Sequence, residues 1–378
     1  MSRIPGLRWD SWPDPIDEHL LRALLHEDLA VARTSWQTFR ARTNLDAPNP
    51  EQYRLFGAIA DRLELIDPED DRIGMFQGVR RLTAVNTMTK LRQLDEYVQT
   101  FDELGVEPVV LKGTALVLTV YESFGQRWFA DTDLLVAPSE WDRVADEFRR
   151  QGWSSIQDDF GGNHGVNLRR GNEVLDLHRL VHSEIVVPGH MAQTMSLLET
   201  TVAERPLPSG RLVRVLAPTD ALLHTLVHGT QRLLPHNLRW TLDAERLIAT
   251  GEIDWYRLVD LSRTFRLSPL IHDALLFLDT LTGRPTEPWV TKMLAADRLS
   301  LLERMQLDAF HEWPSTGGAM GKGLTNLSWA LWRTRSLDRA GLVRHFPQAF
   351  AECMGARSIW DLPRVFARRV GGRDTASH

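Results

Sequence analysis

The chain has 378 residues, 43% apolar and 25% charged, an ordinary globular balance that allows a large buried core and argues against disorder. Its formal charge of -6 gives no general electrostatic reason to bind nucleic acid, and the local run Arg364, Arg368, Arg369 and Arg373 reads as a solvated face. A single cysteine, Cys353, excludes an intramolecular disulfide framework and a cysteine-based zinc site.

The opening Met-Ser-Arg-Ile-Pro-Gly-Leu lacks the apolar run of a signal peptide, and no segment reaches about 18 uninterrupted apolar residues. The expectation is a cytoplasmic protein with no membrane association.

Residues 1–104 read as an N-terminal helical region. Leu20, Leu21, Leu24, Leu25 and Leu29, then Leu55, Ile59, Leu63 and Ile66, recur at helical spacing with charged residues between them. Asn49-Pro50 and Asp67-Pro68 have the form of helix starts, a capping side chain followed by proline in the first turn. Three helices are predicted between about residues 15 and 104.

Residues 105–216 change character to short β-type runs at 108–111, 133–136, 166–169 and 174–178, broken by one helix that begins at Ser139 and stops at Gly152. A small mixed α/β unit is predicted there, with a turn or mobile loop at Gly161-Gly162-Asn163. From residue 217 to 378 the helical period returns, in Ala221 to Val227, Leu242 to Ile248, Trp255 to Leu261 and Leu270 to Leu278. The predicted class is therefore α+β, a small mixed-sheet core flanked by N-terminal and C-terminal helical domains.

The chemistry concentrates in the middle section. Asp131 and Asp133 are one residue apart at a strand, where positions i and i+2 share a face and their Cα atoms lie about 6.5–7 Å apart. Two carboxylates at that separation can share a divalent ion or hold two. Upstream, Val109-Val110-Leu111 runs into Lys112-Gly113-Thr114, a turn that opens a helix, so its backbone N–H groups are available to phosphate oxygens. Lys112 adds a point charge and Arg127 a planar fork for the same oxyanion.

Asp176 falls between Leu175 and Leu177 in a buried-strand pattern, where an ionised carboxylate needs a cation or hydrogen bonds as compensation; a salt bridge to arginine serves as well as a metal. His178, two residues on, shares the face of Asp176. It either works as an acid or base on the acceptor or hydrogen-bonds a carboxylate. His164, in Asn163-His164-Gly165, suits acceptor contact or plain solvation. His224 and His228 have i, i+4 spacing, but Thr225 stands where a zinc protease motif has glutamate, so packing or a hydrogen bond is the better account. Arg239 and Asp243 have the spacing of an ion pair within one helix turn.

Taken together, Leu111 to Leu116, Arg127 with Asp131 to Val136, and Leu175-Asp176-Leu177-His178 resemble a bacterial, largely uncharacterised nucleotidyltransferase family of the polymerase-β-like superfamily. The likeness continues through Leu223 to Gly229, Leu238 to Asp243 and Ile253-Asp254-Trp255, covering about residues 85 to 290. It implies that Gly113-Thr114 holds a triphosphate, that Asp131 and Asp133 bind Mg²⁺ (or Mn²⁺), and that Asp176 completes the metal site or takes the proton of the attacking hydroxyl. His228, Arg239 and Asp243 become pocket candidates on the same ground.

The chain departs from the superfamily in carrying Gly-Thr where Gly-Ser is usual, and in a longer separation between that turn and Asp131. The implied reaction is attack by an acceptor hydroxyl, on a small molecule, sugar, peptide or protein, at the α-phosphate of a nucleoside triphosphate, with loss of pyrophosphate. An RNA-directed or toxin-like transferase, and a non-catalytic nucleotide-binding scaffold, are the alternatives. Neither the nucleobase, the acceptor nor the oligomeric state is encoded in any motif.

Overall fold

A computed structural model describes residues 13–155, 165–181, 202–230 and 237–297, with 327, 330, 331, 334, 339–354 and 358–364 towards the C-terminus. The chain divides into two compact units, residues 1–136 with 200–297, and residues 137–199 with 298–378. Both helices and strands are abundant, as the α+β expectation requires.

The first unit begins with α1 (Pro15–Leu25) and α2 (Leu29–Arg42). Asp14 caps α1 by accepting from the backbone N–H groups of Ile16 and Asp17 at 2.8 and 2.9 Å, and Asp28 caps α2 in the same way. Three further helices follow, α3 (Pro50–Tyr53), α4 (Phe56–Ile66) and α5 (Ile73–Leu104). Asn49 and Gln52 form a reciprocal capping box that starts the single turn of α3; Gln52 also donates to Asp17 of α1 at 2.7 Å.

The long helix starts at Ile73 and not at Pro68. Asp70 is the physical reason. Its buried carboxylate accepts from Trp36 Nε1 at 2.7 Å, Arg40 Nη1 at 2.8 Å and the Arg72 backbone N–H at 2.8 Å, which holds residues 67–72 in turns. Trp36, Phe56 and Phe76 pack edge to face beside it.

After α5 come β1 (Val109–Leu111), α6 (Lys112–Thr119) and β2 (Thr132–Leu135), and later β6 (Val202–Pro206) and β7 (Leu212–Leu216). Their order is β2-β1-β7-β6, with β1 antiparallel to β2 and parallel to β7, and β6 antiparallel to β7. Val109, Val110 and Leu111 are all buried, the continuous apolar run of a central strand.

Ala217 and Pro218 turn the chain from β7 into α8 (Pro218–Gly229), followed by α9 (Arg239–Ala249), α10 (Trp255–Thr264), α11 (Ser268–Thr282) and α12 (Pro288–Ala295). The Asp220 carboxylate, fully buried, pairs with Arg257 at 2.9 Å and fixes α10 on α8.

The second unit holds α7 (Trp141–Arg150), the antiparallel strands β3 (Ser154–Ser155), β4 (Gly165–Arg170) and β5 (Glu173–His178), and α13 (Arg339–Cys353). The helix begins at Trp141, two residues after the expected Ser139, and has no side-chain cap. Phe148 meets Trp153 edge to face at 5.7 Å, while Leu168, Leu175 and Leu177 are wholly buried. The predicted turn at 161–163 lies outside the described residues.

Candidate active site

In the first unit the antiparallel register pairs Leu111 with Asp133, so the turn that follows β1 stands beside this aspartate. Lys112 adopts a left-handed backbone with φ 50°, a conformation that costs a side-chain-bearing residue about 1–2 kcal/mol. It places Nζ 2.6 Å from Asp133 Oδ1, with the carboxylate almost fully enclosed and a fifth of the lysine side chain exposed.

Gly113 is required by close approach, since a Cβ there would lie 2.9 Å from Cβ of Phe129. Phe129 cannot easily yield. It is 2% exposed, and its carbonyl accepts from Asn86 Nδ2 of α5 at 2.9 Å. Thr114 is fully buried, and its hydroxyl meets no hydrogen-bond partner among the described residues.

Asp131 precedes β2 and is half-buried, whereas Asp133 lies within the strand at 3% exposure. Arg127, expected as an open fork for phosphate, instead grips Asp243 of α9 through Nε at 2.7 Å and Nη2 at 2.8 Å, both side chains being buried. Burial alone would weaken the guanidinium's hold on its proton, but the Asp243 charge and hydrogen bonds outweigh that and raise its pKa. Tyr121 donates to Asp243 at 2.6 Å, and its phenol is pushed well above the usual value by burial and by that carboxylate.

Asp243 is thus paired with Arg127 and Tyr121, not with Arg239 one turn away. The Arg239 Nε lies 3.6 Å from Glu51. On α8, the rings of His224 and His228 stack face to face, 5.9 Å between centroids and 2° from parallel.

In the second unit, Asp176 and His178 project from the same face of β5, and His178 Nε2 lies 2.9 Å from Asp176 Oδ2. The carboxylate contact open to His178 in the sequence is present. Opposite His178 stands Gly165, where a Cβ would lie 2.6 Å from the Leu177 carbonyl oxygen. His164 lies outside the described residues. Within the second unit, Asp176 and His178 bring together a carboxylate and an imidazole, both donor types that bind metal ions.

Tyr121, Asn86, Phe129 and Glu51 belong to this arrangement and carried no sequence signal. Each works through a partner far along the chain, and no short motif records such a pairing.

Among solved structures, the chain is similar to the antibiotic-resistance factor ANT(2'')-Ia, with 15% identity over 49% of this chain and 98% of that one and a TM-score of 0.35. It is also similar to an antigenic nucleotidyltransferase-like protein from Paracoccidioides brasiliensis, with 15% identity over 58% and 93% of the two chains and a TM-score of 0.31. No curated protein matches the chain. The sequence model of the family described as uncharacterised nucleotidyltransferase matches residues 51–283, more than half of the chain. The protein belongs to that uncharacterised nucleotidyltransferase family.

Proposed function

We propose that the protein transfers a nucleoside monophosphate from a nucleoside triphosphate to an acceptor hydroxyl and releases pyrophosphate. The observation that carries this reading is the pairing of Leu111 with Asp133, which sets a tight Gly113 turn and the start of an eight-residue helix against an enclosed carboxylate. The N–H groups of Gly113 and Thr114, at the first turn of α6, are suited to the oxygens of a triphosphate. Lys112 is the companion charge, exchanging Asp133 for a phosphate oxygen when substrate enters.

Asp131 and Asp133 would hold a hard divalent ion through oxygen donors, and Asp176 is the third carboxylate that the family resemblance implies; Mg²⁺ and Mn²⁺ match such ligands. His178 holds Asp176 in one orientation, as partners of ligating carboxylates commonly do. When bound, the ion supplies charge neutralisation on the triphosphate and lowers the pKa of the acceptor hydroxyl. Asp176 would complete the metal site or receive the hydroxyl proton. Arg127 contributes by fixing the segment that leads to Asp131, because its own hydrogen bonds go to Asp243 and to the Trp128 carbonyl.

The acceptor is a small molecule, sugar, peptide or protein, and the acidic overall charge weighs against RNA. The test is incubation of the purified protein with each α-labelled nucleoside triphosphate, Mg²⁺ and fractionated cell extract. Metal-dependent appearance of a labelled product together with pyrophosphate, absent after chelation, is expected. Release of pyrophosphate with no labelled acceptor in any fraction would reject transfer.

A further inference from the structure

Beside Asp131, three arginines surround Trp128. Arg54 stands over the indole ring, its guanidinium carbon 4.8 Å from the centroid. Arg127 and Arg239 both direct Nη1 at the Trp128 carbonyl oxygen, the latter at a long 3.4 Å. Asp131 acts electrostatically on Arg127.

Among the described residues, Asp243 and Glu51 are the carboxylates in direct contact with the three guanidiniums. Asp243 is committed to Arg127, and Glu51 contacts Arg54 through Oε1 while Oε2 lies 3.6 Å from Arg239 Nε, beyond hydrogen-bond range. Both the Arg239 Nε and the Glu51 Oε2 are buried without a hydrogen-bond partner among the described residues. A buried guanidinium N–H left so is costly, by about 1–3 kcal/mol, and an entering oxyanion removes that penalty.

Access exists, since 20% of the Arg239 side chain and 28% of Arg54 remain exposed. Burial and the nearby Arg127 lower the Arg239 pKa to about 10, which still leaves it cationic at neutral pH.

We propose that Arg239 and Arg54, on either side of Trp128, form a binding subsite for a phosphate group of a substrate of this enzyme. Two guanidinium forks can share the several oxygens of a tetrahedral, multiply charged oxyanion. The inference rests on the nucleotidyl-transfer reading for the identity of the substrate, not for the binding itself. The phosphate comes either from the end of the triphosphate or from a phosphorylated acceptor.

The experiment is calorimetric titration of the full-length protein with inorganic tripolyphosphate, orthophosphate and each nucleoside triphosphate, in chelator so that metal plays no part. Arg239→Gln is expected to weaken tripolyphosphate binding at least about tenfold. Arg239→Lys, which keeps charge and loses the fork, should fall between it and the wild type, and Arg92→Gln, at an exposed arginine of α5, should bind as the wild type does.

Equal weakening for all nucleoside triphosphates assigns the subsite to the triphosphate end. Unchanged nucleotide binding with loss of orthophosphate binding assigns it to the acceptor. No anion binding by the wild type, or wild-type affinity in both Arg239→Gln and Arg54→Gln, overturns the proposal. Should Arg239→Gln fail to fold, undiminished tripolyphosphate affinity in both Arg239→Lys and Arg54→Gln overturns it equally. Absence of any transferase activity alongside anion binding lost in Arg239→Gln would sink the catalytic reading and leave the subsite standing.

Discussion

Lys112 Nζ sits 2.6 Å from Asp133 Oδ1, and the two partners are unequally buried, the lysine side chain at 20% exposure and the aspartate at 4%. That asymmetry predicts different losses. Asp133→Asn leaves an ammonium that can turn to water, so stability should change by about 1 kcal/mol or less while transfer falls at least about 1,000-fold, near 4 kcal/mol of barrier. Lys112→Met leaves the enclosed carboxylate without its ammonium and should destabilise by roughly 2–3 kcal/mol, below the figure for a fully enclosed pair. Urea melts and single-turnover rates on both variants check this. Equal stability losses would mean that the pair does not set the energetics of this strand.

His178 contacts Asp176 at 2.9 Å, and its effect should be exerted through that carboxylate. His178→Gln, which keeps a donor, is expected to raise the metal concentration for half-maximal activity by about 10–100-fold, with most activity recovered at saturating Mg²⁺. A loss that no metal concentration repairs, accompanied by disappearance of one limb of the pH–rate profile, would make His178 a proton carrier instead.

The parts of this site that the sequence discloses are those written within a few residues. Leu175-Asp176-Leu177-His178 alternates with the strand period, and β5 spans Glu173–His178 against a predicted 174–178. The Asp131-x-Asp133 spacing and the Gly113 turn are legible for the same reason. The Arg127–Asp243 pair joins residues 116 positions apart, and a single sequence holds no trace of which arginine reaches which acid.

The Arg239–Asp243 spacing suggested a different pairing, but in the fold the carboxylate is taken by Arg127 and Tyr121. Likewise Asp67-Pro68 has the form of a helix start, yet α5 waits until Ile73 because Asp70 finds Trp36 and Arg40 across the fold.

Tyr121 gives a pH prediction. Burial and the Asp243 charge raise its pKa above the ordinary value of about 10. Below pH 10 the phenol is neutral in both folded and unfolded chains and contributes no slope. As pH climbs past 10 the unfolded chain loses this proton while the folded chain keeps it, so stability falls from there up towards the folded value. Tyr121→Phe should lose about 1.5–2 kcal/mol at pH 8, the worth of a hydrogen bond to a charged acceptor, and show a shallower decline between pH 10 and 11. Urea denaturation across that range measures it. A parallel decline in the two proteins would show that Tyr121 ionises freely in the folded state.

Gly113 offers the sharpest separation of binding from folding. A Cβ at this position would stand 2.9 Å from Phe129 Cβ, and Phe129 is itself held by the Asn86 hydrogen bond to its carbonyl. Gly113→Ala must therefore shift the α6 turn or the Phe129 segment by several tenths of an ångström, at about 1–3 kcal/mol. Because Phe129 is held, the α6 turn takes up the shift and displaces the N–H groups proposed to meet the triphosphate, so the nucleotide KM should rise at least about tenfold.

Adding Phe129→Ala frees the space that the new methyl needs. The double variant should regain part of the nucleotide affinity even though the lost phenyl ring lowers its stability further, by about 3–5 kcal/mol. Affinity that tracks stability through all three variants would mean that Gly113 serves packing alone, and the triphosphate would then have to be sought elsewhere on the unit.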